Sequence, residues 1–167
     1  MKNIFLMTTY FFLLINILDS ADLNKGMIAY ENKDCSTATK ELIPLYKNKN
    51  PTALYLVATM LESGFCLKKD EKLAINIYQQ CAGKAGGYCL SALGNVHMSG
   101  LIGKKDYTKA YMWYYLSLQI LPKGNLTGKM GSVAMKMIEE RNFKSEAEID
   151  LAISMAQRCA KNNYYGC

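Results

Sequence analysis

The chain has 167 residues, with 20 Lys and Arg against 14 Asp and Glu, a formal net charge of +6, one histidine, six cysteines and a mean hydropathy of −0.05. So small a positive balance, without a concentrated basic patch, excludes nucleic acid as the expected partner and favours acidic partners only slightly. A single histidine and no C-x-x-C pair leave zinc without an ordinary ligand set, so no metal and no cofactor is expected.

The first 21 residues form a separate segment. Lys2 gives a short basic start, Ile4–Ile17 is an apolar run interrupted by Thr8, Thr9 and Asn16, and Ser20-Ala21 supply small residues before the charged Asp22. This is the pattern of a secretory signal peptide over residues 1–21. Asp19 departs from it, standing where a small residue is preferred. The run is shorter than the ~20 apolar residues of a spanning helix, so no stable membrane insertion is expected once the leader is removed. Residues 22–167 have the length of a single domain and carry all six cysteines, Cys35, Cys66, Cys81, Cys89, Cys159 and Cys167. An even number of cysteines behind an export signal predicts three disulfides in an oxidising compartment, periplasmic or secreted.

Two stretches then repeat one another, "SGFCLKKDEKLAINIY" from Ser63 and "SGLIGKKDYTKAYMWY" from Ser99. Gly64 and Gly100, Lys69 and Lys105, Asp70 and Asp106, Ala74 and Ala110, and Tyr78 and Tyr114 all stand 36 apart, and the same step backwards reaches Lys33, Asp34, Ala38 and Leu42. A fixed period of this size marks a solenoid whose units bury their apolar faces against their neighbours. Each unit reads as two helices. Ala53, Val57, Ala58 and Leu61 fall on one face of a first helix, and Cys89, Leu93, Gly94 and His97 repeat those places. Gly64 and Gly100 stop these helices, because glycine takes the left-handed conformation without steric cost. Asp70 and Asp106 open the second helices as caps, whose buried stripes are Ala74, Ile77 and Tyr78, then Ala110, Trp113 and Tyr114.

The pattern A-x3-L-G-x2-Y-x2-G, a short loop and D-x3-A-x2-W-Y resembles the Sel-one-like repeat family, which is related to tetratricopeptide repeats. Cys89, Leu93, Gly94, His97, Gly100, Asp106, Ala110, Trp113 and Tyr114 match or nearly match it. The preceding copy departs from it, with Val57-Ala58 for Leu-Gly, Leu61 for tyrosine and Ile77 for tryptophan. "GMIAYENKDCSTATKELIPLYKNKN" is similar to the family's opening helix pair. The resemblance implies an all-α, α/α solenoid of helix-turn-helix repeats, about eight helices in number and stapled by disulfides.

Beyond Leu121-Pro122 the pattern fades and two capping helices are expected. One covers Asn125 to Glu140, with Val133, Met137 and Ile138 on its apolar side. The other covers Ser145 to Ala160, opened by a Ser145 and Glu148 capping box, with Ile149, Ala152, Ile153 and Ala156 buried. Antiparallel helices joined by "AGKAGGY" bring Cys81 and Cys89 to disulfide distance, and the same spacing recurs at Cys159 and Cys167. Cys35 and Cys66 remain, both at the loop ends of adjacent units. Stacking favours these three pairs among the 15 possible pairings.

His97 falls on the buried face of its helix, where packing is the expected role. No serine or cysteine stands in a nucleophile motif, and the carboxylate pairs Glu139-Glu140 and Glu146/Glu148 fit solvated faces and first helical turns. The column Lys33, Lys69 and Lys105, widened by Lys68 and Lys104, is a solvated loop edge or a stripe that steers an acidic partner. Tyr111 and Tyr115, four apart, are expected on a more exposed face than Trp113 and Tyr114. In the family the first helices line the concave side, which makes Tyr55, Thr59, Ser91 and Asn95 the expected contacts, with Lys69 and Lys105 at the edge. The functional expectation is a non-catalytic exported protein that binds another protein, itself exported or in the envelope. Narrower alternatives are an immunity or inhibitor protein against a secreted toxin or hydrolase, an envelope adaptor, and a cell-wall or β-lactam hydrolase relying on His97.

Overall fold

The computed structural model describes residues 21–84, 86–164 and 167, and the expected leader lies outside them except for Ala21. The described residues form eight helices and no strand: α1 (Leu23–Glu31), α2 (Cys35–Lys47), α3 (Pro51–Ser63), α4 (Glu71–Ala82), α5 (Gly87–Ser99), α6 (Tyr107–Ile120), α7 (Leu126–Arg141) and α8 (Glu146–Lys161). The pairs α1–α2, α3–α4 and α5–α6 pack most closely, stacking on one another through α2 on α3 and α4 on α5. The last two helices behave differently, for α7 and α8 each lean on α6.

The repeat is visible in the backbone chemistry. Asp34, Asp70 and Asp106 stand just before α2, α4 and α6, and their Oδ1 atoms accept from the N–H groups of Thr37, Leu73 and Lys109 at 3.1, 2.9 and 2.9 Å. These bonds satisfy donors that the first helical turn leaves free. Gly64 and Gly100 end α3 and α5 in the left-handed region, at φ 75° and 79°. Ala38, Ala74 and Ala110 are all fully buried at 0% exposure, so the recurring alanine lies inside the packed stack in each unit. The main core runs from α1 to α6 and takes in Ala156 and Cys159 of α8. A smaller cluster joins Ala110, Tyr111 and Tyr114 of α6 to Ile138 of α7 and Ala152 of α8.

Three disulfides cross-link the stack. Cys35–Cys66 ties the start of α2 to the loop after α3, with Cα atoms 4.8 Å apart. Cys81–Cys89 spans the α4–α5 turn at 5.9 Å, and Cys159–Cys167 holds the chain end against α8 at 5.6 Å.

Two local expectations are corrected. Val133 and Met137 do not face the core with Ile138: they are 61% and 36% exposed. Helix α7 approaches α6 through glycines, and a Cβ added at Gly131 would lie 3.5 Å from Tyr114, one at Gly128 3.4 Å from Leu118. Close backbone approach on that side turns the larger apolar side chains outward. The capping box at α8 is also incomplete, because Ser145 makes no side-chain cap bond while the Glu148 carboxylate accepts from the Lys144 N–H.

Candidate protein-binding surface

In the two full repeat units, α3–α4 and α5–α6, the second helix locks to the first through a tyrosine hydroxyl, at the place where α2 has Leu42. Tyr78 of α4 donates to Glu62 Oε2 of α3 at 2.7 Å, with Thr59 Oγ1 at 3.2 Å. One unit on, Tyr114 of α6 donates to Asn95 Oδ1 of α5 at 2.6 Å and approaches the Met98 sulfur at 3.5 Å. The pairs 59 with 78 and 95 with 114 are the same joint shifted by one repeat. Burial pushes the Tyr114 phenol up to about 12. Burial also raises Tyr78, with the Thr59 bond opposing and the Glu62 carboxylate adding. Both phenols therefore keep their proton and serve as donors across the neutral range.

Thr59 and Asn95, expected as partner contacts, thus have an internal role. Thr59 is half-buried, and its hydroxyl also donates to Tyr55 O at 2.9 Å. Asn95 remains exposed beside its tyrosine. Ser91 is corrected outright: at 5% exposure it lies inside the packed body of α5 and has no surface to offer.

An aromatic row crosses the first helices. The half-buried Tyr55 ring of α3 stands 6.3 Å from Tyr78 and 5.5 Å from Tyr88 of α5. Tyr88 is 39% exposed, and its hydroxyl accepts from Asn125 Nδ2 at 3.0 Å. Asn125 caps α7, its Oδ1 accepting from the Thr127 and Gly128 N–H groups at 2.9 and 3.3 Å. On the helix that Asn125 caps, Leu126, Met130, Val133 and Met137 are 71%, 65%, 61% and 36% exposed. At spacings of four, three and four these make one apolar stripe along α7.

No protein-family model and no curated protein matches this chain. Among solved structures it is similar to a protective antigen present in uropathogenic Escherichia coli strains that displays an SLR fold, with a TM-score of 0.67 and 19% identity. The chain has the Sel-one-like repeat fold. The match covers 84% of this chain and 30% of that one, so this chain spans about a third of its solved neighbour's length.

Within this repeat fold the lysine column has a local use. A Cβ at Gly64 would meet Lys69 Cβ at 3.1 Å, and one at Gly100 would meet Lys105 Cγ at 3.3 Å. The lysine stems thus cover the two left-handed glycines while their ammonium groups stay exposed. Lys69 also pairs with Glu71 at 2.6 Å, an exposed pair of small energetic weight.

His97 is half-buried on α5. Burial lowers its pKa first and Lys109 adds to that, while Asp106 opposes. Neutral His97 is chemically able to act as a base, but all six cysteines are held in the three disulfides and offer it no thiol. Tyr111 is corrected as well: it is 4% exposed and donates to Glu139 Oε1 at 2.6 Å, joining α6 to α7. Glu139 is accordingly half-buried and engaged, and is not part of a solvated pair. Among the described residues no His, Cys, Asp and Glu group is arranged to hold a metal ion, and no helix is long and apolar enough to cross a membrane.

The tyrosine joints are the structural feature beside the candidate surface that sequence reasoning missed. A signal for them existed, since a polar residue precedes each repeat tyrosine by 19 positions in both full units.

Proposed function

We propose that this chain is a non-catalytic exported repeat protein that binds another protein in the bacterial periplasm or cell envelope. The supporting observation is the row of Tyr55, Tyr88 and Asn125 together with the exposed apolar stripe on α7, the helix that Asn125 caps. Tyrosines anchored at one end offer large contact area at small entropic cost, and methionines adapt to the partner they meet. Three disulfides suit an oxidising compartment and hold the row rigid, which reduces the ordering cost of binding. The contact set is therefore Tyr55, Tyr88, Asn95, Met130 and Val133, with Lys69 and Lys105 at the edge and Ser91 removed.

The test uses the oxidised mature protein as bait against the exported and envelope proteins of its own source, followed by binding of purified candidates. The expected result is a partner whose affinity falls at least about tenfold on Tyr88→Ala or Met130→Asp, with an unchanged circular dichroism spectrum. Affinity insensitive to both substitutions would remove the row from the function. One stoichiometric partner with toxic or hydrolytic activity would narrow the role to an inhibitor or immunity protein, and several weak partners would narrow it to an adaptor. Hydrolysis of wall fragments that His97→Ala abolishes would replace the binding reading with an enzymatic one.

A further inference from the structure

Glu41 of α2 is a carboxylate at 7% exposure, and a charge so enclosed needs partners on both oxygens. Its Oε1 receives the Lys25 ammonium at 2.9 Å, from a side chain that is itself 58% exposed. Its Oε2 receives the backbone N–H of Asp22 at 2.9 Å. Asp22 is the N-cap of α1, where its own Oδ1 accepts from the Lys25 N–H at 3.1 Å and its carbonyl from the Gly26 N–H at 2.9 Å. These two bonds fix the Asp22 nitrogen in place independently of whatever precedes it. Asp22 is also the first residue after the expected leader.

We infer that removal of the leader converts this hydrogen bond into an ion pair, with the new α-ammonium group of the exposed Asp22 docked on Glu41. The inference rests on the exported reading. A leader peptidase hydrolyses the Ala21–Asp22 amide: the hydroxyl of water goes to the Ala21 carbonyl carbon, and a proton goes to the Asp22 nitrogen. That amine then takes up a further proton from solvent and carries a positive charge at the position where a neutral N–H already meets Glu41. The charged groups that act on Glu41 are Lys25 at the start of α1 and Lys40 on α2, while Asp22 acts through its backbone N–H. The Asp22 N–H and then the Lys25 bond hold the Glu41 carboxyl below its usual range against the opposing effect of burial, so it is ionised when the amine arrives.

The helix makes the pairing diagnostic. An ammonium group at the N-terminus of α1 sits at the positive end of the helix dipole and is unfavourable there by itself. The Glu41 carboxylate reverses that sign. Processing would thus register in the stability of the first helix pair, α1 on α2.

The experiment begins with the full chain secreted in oxidised form and its N-terminus read by intact mass. Asp22 is expected as the first residue. Four proteins are then compared at pH 6.5 and low salt: the Asp22 form with a free or an acetylated amine, each with Glu41 or with Glu41→Gln. With Glu41 the free amine is expected to melt about 3–6 °C above its acetylated counterpart, and with Gln the order is expected to reverse. The advantage should fade as pH rises through the pKa of the docked amine, which pairing lifts above the ~7.7–8.0 of a free α-amino group. An acetylation-rate profile of the unmutated protein reads that pKa directly, even if Glu41→Gln folds poorly. A start other than Asp22, or an uncleaved chain, overturns the leader reading and this inference together. An Asp22 start with no difference between Glu and Gln, or an amine that titrates at an ordinary value, overturns the docking alone.

Discussion

Leu54, Leu90 and Leu126 stand 36 residues apart, at the same place in three successive first helices, yet they are 1%, 0% and 71% exposed. The neighbouring columns behave alike: Ala58 is fully buried where Met130 is 65% exposed, and Leu61 is 9% exposed where Val133 is 61% exposed. Helices α3 and α5 lie between neighbours that continue the repeat, so their larger apolar side chains point inward. Helix α7 begins after the Leu121–Gly124 connection with a different face toward α6, the face of Gly128, Gly131 and Ile138. A sequence period therefore fixes an interior only while the next unit keeps the same rotation. Once small residues offer a closer approach, the same periodic places become surface.

The disulfides supply the sharpest test of whether the beginning and the end of the stack are held differently. Cys35–Cys66 closes 31 positions and Cys159–Cys167 closes 8. By the chain-entropy model the first contributes about 3–4 kcal/mol and the second about 2.5 kcal/mol. Replacing both cysteines of a pair by serine should lower the guanidinium unfolding midpoint in that order. A larger loss from the terminal pair would show that α8 anchors the fold more than the first unit does.

Gly94 and Gly131 sharpen the comparison because both face the Tyr114 ring. A Cβ at Gly94 would lie 2.6 Å from Tyr114 Cε1, whereas one at Gly131 would lie 3.5 Å from Cδ1. The ring is 2% exposed and hydrogen-bonded to Asn95, so it cannot yield cheaply to the first. Gly94→Ala is expected to destabilise by about 2 kcal/mol in denaturant unfolding. Gly131→Ala, in ordinary contact and inside a helix, should be neutral or stabilising by up to about 1 kcal/mol. Equal losses at both would mean that α7 is as tightly packed as α5.

A smaller contrast lies in the tyrosine joints. Tyr114→Phe removes a hydroxyl from an exposed neutral amide and should cost about 1 kcal/mol. Tyr111→Phe takes a donor from the half-buried Glu139 carboxylate and should cost about 1.5–2 kcal/mol, since bonds to charged groups are stronger. The terminal unit would then depend more on one polar bond, and the middle unit more on packing. Thermal unfolding of both variants beside the parent chain measures the difference.

These contrasts show why the sequence was readable in some places and not in others. Asp34, Asp70 and Asp106, the left-handed Gly64 and Gly100 and the buried Ala38, Ala74 and Ala110 each answer a local physical demand, and the 36-residue step makes that demand legible three times for the aspartates and alanines and twice for the glycines. The all-α stack and its staples follow from them. The face of α7 was not legible, because helical periodicity shows that an apolar stripe exists but not whether glycines opposite it offer a closer packing surface. Ser91 and Tyr111 failed for a related reason: their places along their own helices marked both as candidates for the surface, while burial depends on neighbours that contribute through space. Thr59 and Asn95 looked available because their partners, Tyr78 and Tyr114, had been assigned wholly to the core.

The smallest expected effect tests the stripe itself. Met130 is 65% exposed and Val133 61%, so Met130→Ser or Val133→Ser removes little apolar surface from the folded interior and should change stability by no more than about 0.5 kcal/mol. Leu54→Ser or Leu90→Ser, at the buried places of the same repeat, should each cost several times more, about 3 kcal/mol or above, through a cavity and an enclosed hydroxyl. Met130 and Val133 are therefore free of structural duty in the isolated chain. If Met130→Ser nonetheless proved costly, the stripe would be covered in solution, and the end of the stack would be an interior after all.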